Sequence, residues 1–140
     1  MSVRFFLDTN IFVYSFDASS PKKAAQAKKL IRRAIETRTG VVSYQVVQEF
    51  FNVALRRFAK PMSSVDAEQY LSTTFRPLLS VHSSMALYGE ALRIGARFRL
   101  SWYDSVIVAS SIEGQCDVLF TEDFQNGQQI ESVTISNPFA

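Results

Sequence analysis

Five short apolar runs, separated by stretches of helical periodicity, constrain this chain more than any other feature. The first, Phe5-Phe6-Leu7, stops abruptly at Asp8. It reads as a buried strand, with a helix over Ile11 to Phe16 directly behind it. Val41-Val42, Leu78 to Val81, Val118 to Phe120 and Val133 to Ile135 repeat the pattern. Between them lie expected helices over Pro21 to Arg38, Tyr44 to Phe58, Ser64 to Thr74, Ser83 or Ser84 to Phe98, and Ser101 to Glu113. Ser20, Ser43 and Ser63 stand at their capping positions, and Gly40 closes the unit after the first long helix. Strands alternating with helices specify an α/β domain with a parallel sheet covered on both faces. The connection from Leu119 to Ile135 lacks a helical pattern, so that pairing is the least determined.

A chain of 140 residues that is 47% hydrophobic suits one compact domain spanning residues 1–140. No apolar stretch is long enough for a membrane helix, and no cleavable leader pattern opens the chain, so no membrane partner is expected. Cys116 is the only cysteine and His82 the only histidine. An internal disulfide and metal centres built on thiolates or imidazoles are thereby excluded, and a reducing, cytoplasmic setting is expected.

Net charge is only +2, but it is unevenly spread. Residues 22–60 hold ten Lys or Arg against two acids, whereas residues 61–140 hold four basic and nine acidic residues. The basic segment reads either as a phosphate-facing surface or as two ordinary solvated helix faces. Lys22 and Lys23 lie in the first turn of their helix, where the dipole disfavours cations. That misplacement suggests that something anionic visits this end.

Four acids fall where a parallel sheet would gather them. Asp8 and Asp123 follow the ends of strands, Glu49 lies early in the helix after Val41-Val42, and Asp104 opens the helix after Ser101. Three of them also have a plain structural reading. Asp8 caps a helix, Asp104 occupies the acidic position of a capping box, and Glu49 is a surface residue on a polar edge with Gln45 and Asn52. Strand C-termini and the starts of the following helices share one sheet edge, where ligands bind in such folds. Four carboxylates at one point repel unless neutralised, and hard divalent cations held by oxygen are the usual solution. Mg²⁺ or Mn²⁺ is the natural choice.

The segments Leu7-Asp8-Thr9-Asn10, Gln48-Glu49-Phe50-Phe51-Asn52, Trp102-Tyr103-Asp104-Ser105 and Phe120-Thr121-Glu122-Asp123-Phe124 together resemble the motif set of PIN-domain ribonucleases, most closely the VapC-type toxins of toxin–antitoxin pairs. The resemblance covers essentially the whole chain. It implies a PIN-like three-layer domain with a central parallel five-stranded sheet. It also implies an Mg²⁺-dependent endoribonuclease in which Asp8, Glu49, Asp104 and Asp123 bind metal and Thr9, Asn10, Asn52 and Thr121 support them. Metal-activated water would then leave a 5′-phosphate and a 3′-hydroxyl. Lys22, Lys23, Lys29, Arg33, Arg56 and Arg57 are the candidates for holding the RNA backbone. A cognate antitoxin and a homodimer are the implied protein partners, with exposed apolar residues between Tyr44 and Thr74 available to either interface. Glu122 is a possible peripheral ligand, and Asp117 a turn residue. The competing reading is a non-cleaving PIN-like module that binds RNA or protein. A haloacid-dehalogenase-type phosphatase is disfavoured, because Asn10 stands where that chemistry needs a second Asp.

Overall fold

The computed structural model describes residues 3–140. Strands β1 (Phe5–Leu7), β2 (Gly40–Ser43), β3 (Leu79–Val81), β4 (Val118–Phe120), β5 (Gln129–Ile130) and β6 (Val133–Ser136) form one sheet in the order β3-β2-β1-β4-β6-β5. All neighbours from β3 to β6 are parallel. The expectation of five strands needs one correction. Gln129–Ile130 adds a sixth, antiparallel to β6, in a two-residue pairing too short to leave a sequence pattern. The helix-free pairing of β4 with β6 is present, with Leu119 opposite Ile135.

Among the described residues, six α-helices surround the sheet: α1 (Thr9–Tyr14), α2 (Pro21–Thr37), α3 (Tyr44–Ala54), α4 (Ser64–Tyr70), α5 (Met85–Phe98) and α6 (Trp102–Glu113). Several boundaries differ from the sequence reading. The first helix starts two residues earlier, because Asp8 caps it. Helix α3 stops at Ala54 instead of Phe58. The segment after α4 widens into a π-helical turn, Leu71–Phe75. Helix α2 ends as expected, with Arg38 as its left-handed cap, and Gly40 begins β2. Ser63, Ser84 and Ser101 accept capping bonds, whereas the hydroxyls of Ser20 and Ser43 make none.

Strand β1 is the centre of the core. Phe5, Phe6 and Leu7 alternate between the two sheet faces and all three are buried, so helices cover both sides. A second apolar centre ties α1 to α3. The Phe12 and Phe50 rings lie 6.4 Å apart, and both meet Phe75. Tyr70 stacks on Phe50 at 5.0 Å. Asn10 and Glu49 are close neighbours in sequence of Phe12 and Phe50, so this aromatic packing fixes where those two polar side chains stand. No helix among the described residues is long and apolar enough to cross a membrane.

Two glycines give a direct check on the packing. A Cβ at Gly40 would lie 2.2 Å from the Ala34 Cβ and 2.9 Å from its Cα, so α2 rests directly on the β2 backbone. Gly89 in α5 has nothing within 4 Å. Gly40→Ala is expected to destabilise the fold by about 1–3 kcal/mol through overpacking. Gly89→Ala should stabilise it by roughly 0.5–1 kcal/mol. Urea denaturation of both variants measures the pair, and equal midpoints would contradict this contact.

Candidate active site

Asp8 is built into the sheet before it serves any site. Its N–H donates to the Phe120 carbonyl at 3.1 Å, which extends the β1–β4 ladder by one residue. Its Oδ1 accepts the Thr9 N–H at 2.7 Å as the cap of α1. Its Oδ2 accepts the Thr121 hydroxyl at 2.8 Å. Only 5% of the residue is exposed. Burial pushes its pKa from 3.8 up to about 7, and the nearby charges of Asp123 and Glu49 add to the rise. The bonds from Thr121 and Thr9 oppose it. The capping and site readings of Asp8 are therefore compatible.

The neighbouring acids are steered by the same short segments. Thr9 donates its hydroxyl to Glu49 Oε1 at 2.8 Å, and Gln45 Nε2 stands 3.5 Å from Glu49 Oε2. Thr121 also accepts the Asp123 N–H at 3.1 Å, so one hydroxyl orients two acids. Asp123 opens to solvent at the mouth of the site. Contact with protein still desolvates it enough to raise its pKa, helped by the charges of Asp104 and Glu122. Asp104 donates its N–H to Ser101 Oγ at 3.3 Å, as its capping position requires. Its carboxylate makes no return bond to Ser101, so the side chain remains free to line the cavity.

Asp8, Glu49, Asp104 and Asp123 thus come from four elements and line one cavity of about 500 Å³ at the C-terminal edge of the sheet. Thr9, Asn10 and Asn52 line it with them, and Thr121 is buried behind Asp8. Sequence reasoning did not assign Gln45, Tyr103 or Tyr14 to the site. Gln45 was legible by its helical spacing from Glu49. Tyr103 had only its adjacency to Asp104, and Tyr14 only its place in the last turn of α1. Glu122, expected as peripheral, accepts the Tyr14 hydroxyl and pairs with Lys23 at 3.3 Å. The anion suggested by the misplaced Lys23 is thus present within the chain itself.

The other basic candidates stand apart from the cavity. Lys22, Lys29, Arg56 and Arg57 are exposed and do not line it. Arg33 lies over the Phe5 ring at 4.8 Å, beside the opposite end of β1 from Asp8.

The donor set fits a hard divalent cation. Every available ligand atom is oxygen, Asp8 is a buried carboxylate without a cation, and Asn10 Oδ1 is buried with no partner. The Asn10 amide lies close enough to Asp123 to favour its ionised form, but it completes no hydrogen bond. No three of the Asp, Glu, His and Cys side chains among the described residues close into a ready cage. Oxygens of Asp8 and Glu49 are engaged by threonine hydroxyls instead.

The PIN-domain family model matches residues 5–126. The chain belongs to the PIN-domain family. No curated protein matches the sequence significantly. Among solved structures, the PIN domain described here resembles a toxin–antitoxin complex from Klebsiella pneumoniae, at 19% identity and a TM-score of 0.66 over 98% of both chains. It also resembles VapBC2 from Rickettsia felis, solved on a DNA fragment from its promoter, at 16% identity and a TM-score of 0.67, covering 96% of this chain and 98% of that one. A third is Mycobacterium tuberculosis VapC20, described as a sarcin–ricin-loop-cleaving toxin, at 19% identity and a TM-score of 0.63, covering 85% and 91%. At these identities the likeness is one of fold.

The environment of Asp8 makes a stability prediction. Because its folded pKa is raised, its unfavourable contribution is absent at low pH, grows above 3.8 and is complete above about 7. Moving a carboxyl over that range corresponds to roughly 4 kcal/mol. In EDTA, Asp8→Asn should therefore match the wild type near the bottom of this window and be the more stable protein by up to that amount above pH 7. Thermal melts across the range check it. Parallel pH profiles for the two proteins would show that Asp8 ionises without cost.

Proposed function

We propose that this PIN domain is a metal-dependent endoribonuclease and the toxin of a toxin–antitoxin pair. The observation that carries the reading is the convergence of Asp8, Glu49, Asp104 and Asp123 on one cavity built only from oxygen donors. The likeness of the fold to toxins solved with their antitoxins, and to one described as cleaving the sarcin–ricin loop, supports the substrate class and the partner.

In this reading the four carboxylates hold Mg²⁺ or Mn²⁺. A divalent ion there would neutralise charge on the scissile phosphate and lower the pKa of the attacking water. The chain's own residues do the positioning. Thr121 holds Asp8 Oδ2 and the Asp123 backbone together, so two acids keep a fixed relation. Thr9 holds Glu49 across from α3. The unpartnered Asn10 amide supplies a further neutral oxygen, which adds a ligand without adding repulsion. Hydrolysis breaks the bond from phosphorus to the 3′ oxygen and leaves a 5′-phosphate and a 3′-hydroxyl.

Protein partners have surface to occupy. Leu55, Val65 and Leu71 are exposed in the region expected for an interface. Met85, Leu92, Trp102 and Tyr103 form a further exposed apolar set on α5 and α6. An antitoxin and a second copy of the chain are the partners we assign to these surfaces.

The competing reading is a non-cleaving RNA- or protein-binding module. The engagement of Asp8 and Glu49 by threonines, with no ready cage of three acids, is the observation in its favour. RNA cleavage by the purified protein separates the two. Under the nuclease reading, Mg²⁺ or Mn²⁺ supports cutting, EDTA abolishes it, and Asp8→Asn or Asp104→Asn lowers the rate by at least ~100-fold with the fold intact. A folded, antitoxin-free protein that cuts no RNA under any metal condition would favour the binding module, and cutting that survives both substitutions would put the chemistry outside these acids.

A further inference from the structure

The cavity wall holds Asp8, Glu49, Asp104, Glu122 and Asp123, and neither lysine nor arginine. A polyanion entering such a cavity needs a cation at its mouth. Lys23, in the first turn of α2, has side-chain bonds to two wall residues. Its Nζ lies 3.3 Å from Glu122 Oε2 and 3.4 Å from the Tyr14 hydroxyl. We propose that Lys23 receives a backbone phosphate of the RNA at the mouth of the acidic cavity, and that Glu122 holds its place while the cavity is empty. The assignment rests on the nuclease reading for its substrate class.

Four features make the exchange of partners easy. The Lys23–Glu122 pair is half-exposed, with 39% and 25% of the two side chains accessible, and such pairs are weak. Both Lys23 bonds are at the long end of the range, whereas the Tyr14 hydroxyl bonds tightly to the other oxygen of Glu122. Glu122 therefore keeps a partner when Lys23 leaves. The ammonium also sits 4.5 Å from the Tyr14 ring centroid and 5.5 Å from that of Phe139. These aromatic faces keep the charge at the mouth after Glu122 releases it. Finally, Lys23 gains nothing from the helix dipole where it stands, because the N-terminal end of α2 opposes a cation. A flexible ammonium with three rotatable donors suits a phosphate that arrives from solvent.

The test is the affinity of the full chain, in EDTA, for a labelled single-stranded RNA oligonucleotide across a salt series. Lys23→Ala should weaken binding roughly tenfold and lower the slope of log K against log salt by about one, and Lys23→Arg should retain most of both. Glu122→Gln should tighten binding a few-fold when Lys23 is present and have little effect in the Lys23→Ala background. Wild-type affinity and salt slope in Lys23→Ala would overturn the proposal, as would the absence of RNA binding by the wild type. So would a lower melting temperature with an unchanged slope, the signature of a merely structural clasp. Equal tightening by Glu122→Gln in both backgrounds would also overturn the exchange, because Glu122 would then act only through its field. Cleavage measured in parallel with Mg²⁺ keeps the two readings apart. RNA binding that depends on Lys23 in a protein that does not cut would remove the nuclease and leave this assignment. Cutting by Lys23→Ala with an unchanged KM would do the reverse.

Discussion

A carboxylate buried at the end of the central strand is the constraint on which the rest of this molecule depends. Asp8 follows three fully buried residues of β1, and its backbone is still paired to β4. The side chain has nowhere to go except the sheet edge, where water is largely excluded. Burying an ionised carboxylate is costly unless hydrogen bonds or an opposite charge compensate. Two bonds, from Thr9 and Thr121, are supplied. They are not sufficient, since the group is still held well above its ordinary pKa. Among the described residues, no cationic side chain reaches it. The remaining compensation has to come from a proton or from a ligand.

The apolar packing explains why the other acids gather at the same place. Helices α1 and α3 are locked through Phe12, Phe50 and Phe75, none of which lines the cavity. Locking those rings sets the rotation of both helices about their axes. Asn10 and Glu49 then project into the cavity because their neighbours are committed to the core. Helix α6 contributes differently. It is buried along most of its length and exposed at its first turn, so its polar contribution to the site is Asp104 and Tyr103, with the buried Ile107 lining the wall behind them. The core thus aims the polar residues, and the aim depends on side chains that never touch a ligand.

The legible and illegible parts of this architecture divide along physical lines. Strands β1, β2, β4 and β6 and the long helices were readable because burial on one or both sides leaves a periodic trace in the sequence. The acids at Asp8, Glu49, Asp104 and Asp123 were readable because each lies at a fixed place relative to an element. The β5 hairpin was not readable, since two residues show no periodicity. The π turn after Tyr70 was hidden as well, because its composition continues that of a helix. The role of Lys23 was only half visible. Its unfavourable place on the dipole pointed to an anion, but the identity of that anion, Glu122, depends on a contact between residues 99 positions apart. Arg33 shows the opposite failure. It shares a helix with Lys23 but lies against Phe5, because ten further residues of helix carry it about 15 Å along the sheet.

The unpaired polar atoms complete the argument. Buried side-chain groups without partners are rare in folded proteins, and each costs roughly 1–3 kcal/mol. In this chain both polar atoms of the Asn10 amide and the Oε1 of Gln45 are in that state, and both residues line the acidic cavity. Gln45 donates its Nε2 to the Tyr103 carbonyl at 3.3 Å while its oxygen goes unmet, and the Asn10 amide completes no hydrogen bond at all. The same cavity also places acids near one another, which costs further free energy. A fold that concentrates unmet donors, unmet acceptors and like charges at one sheet edge is unfinished there. The deficit is in oxygen-rich, negatively charged surroundings, and its sign and chemistry match the hard cation that we propose completes it.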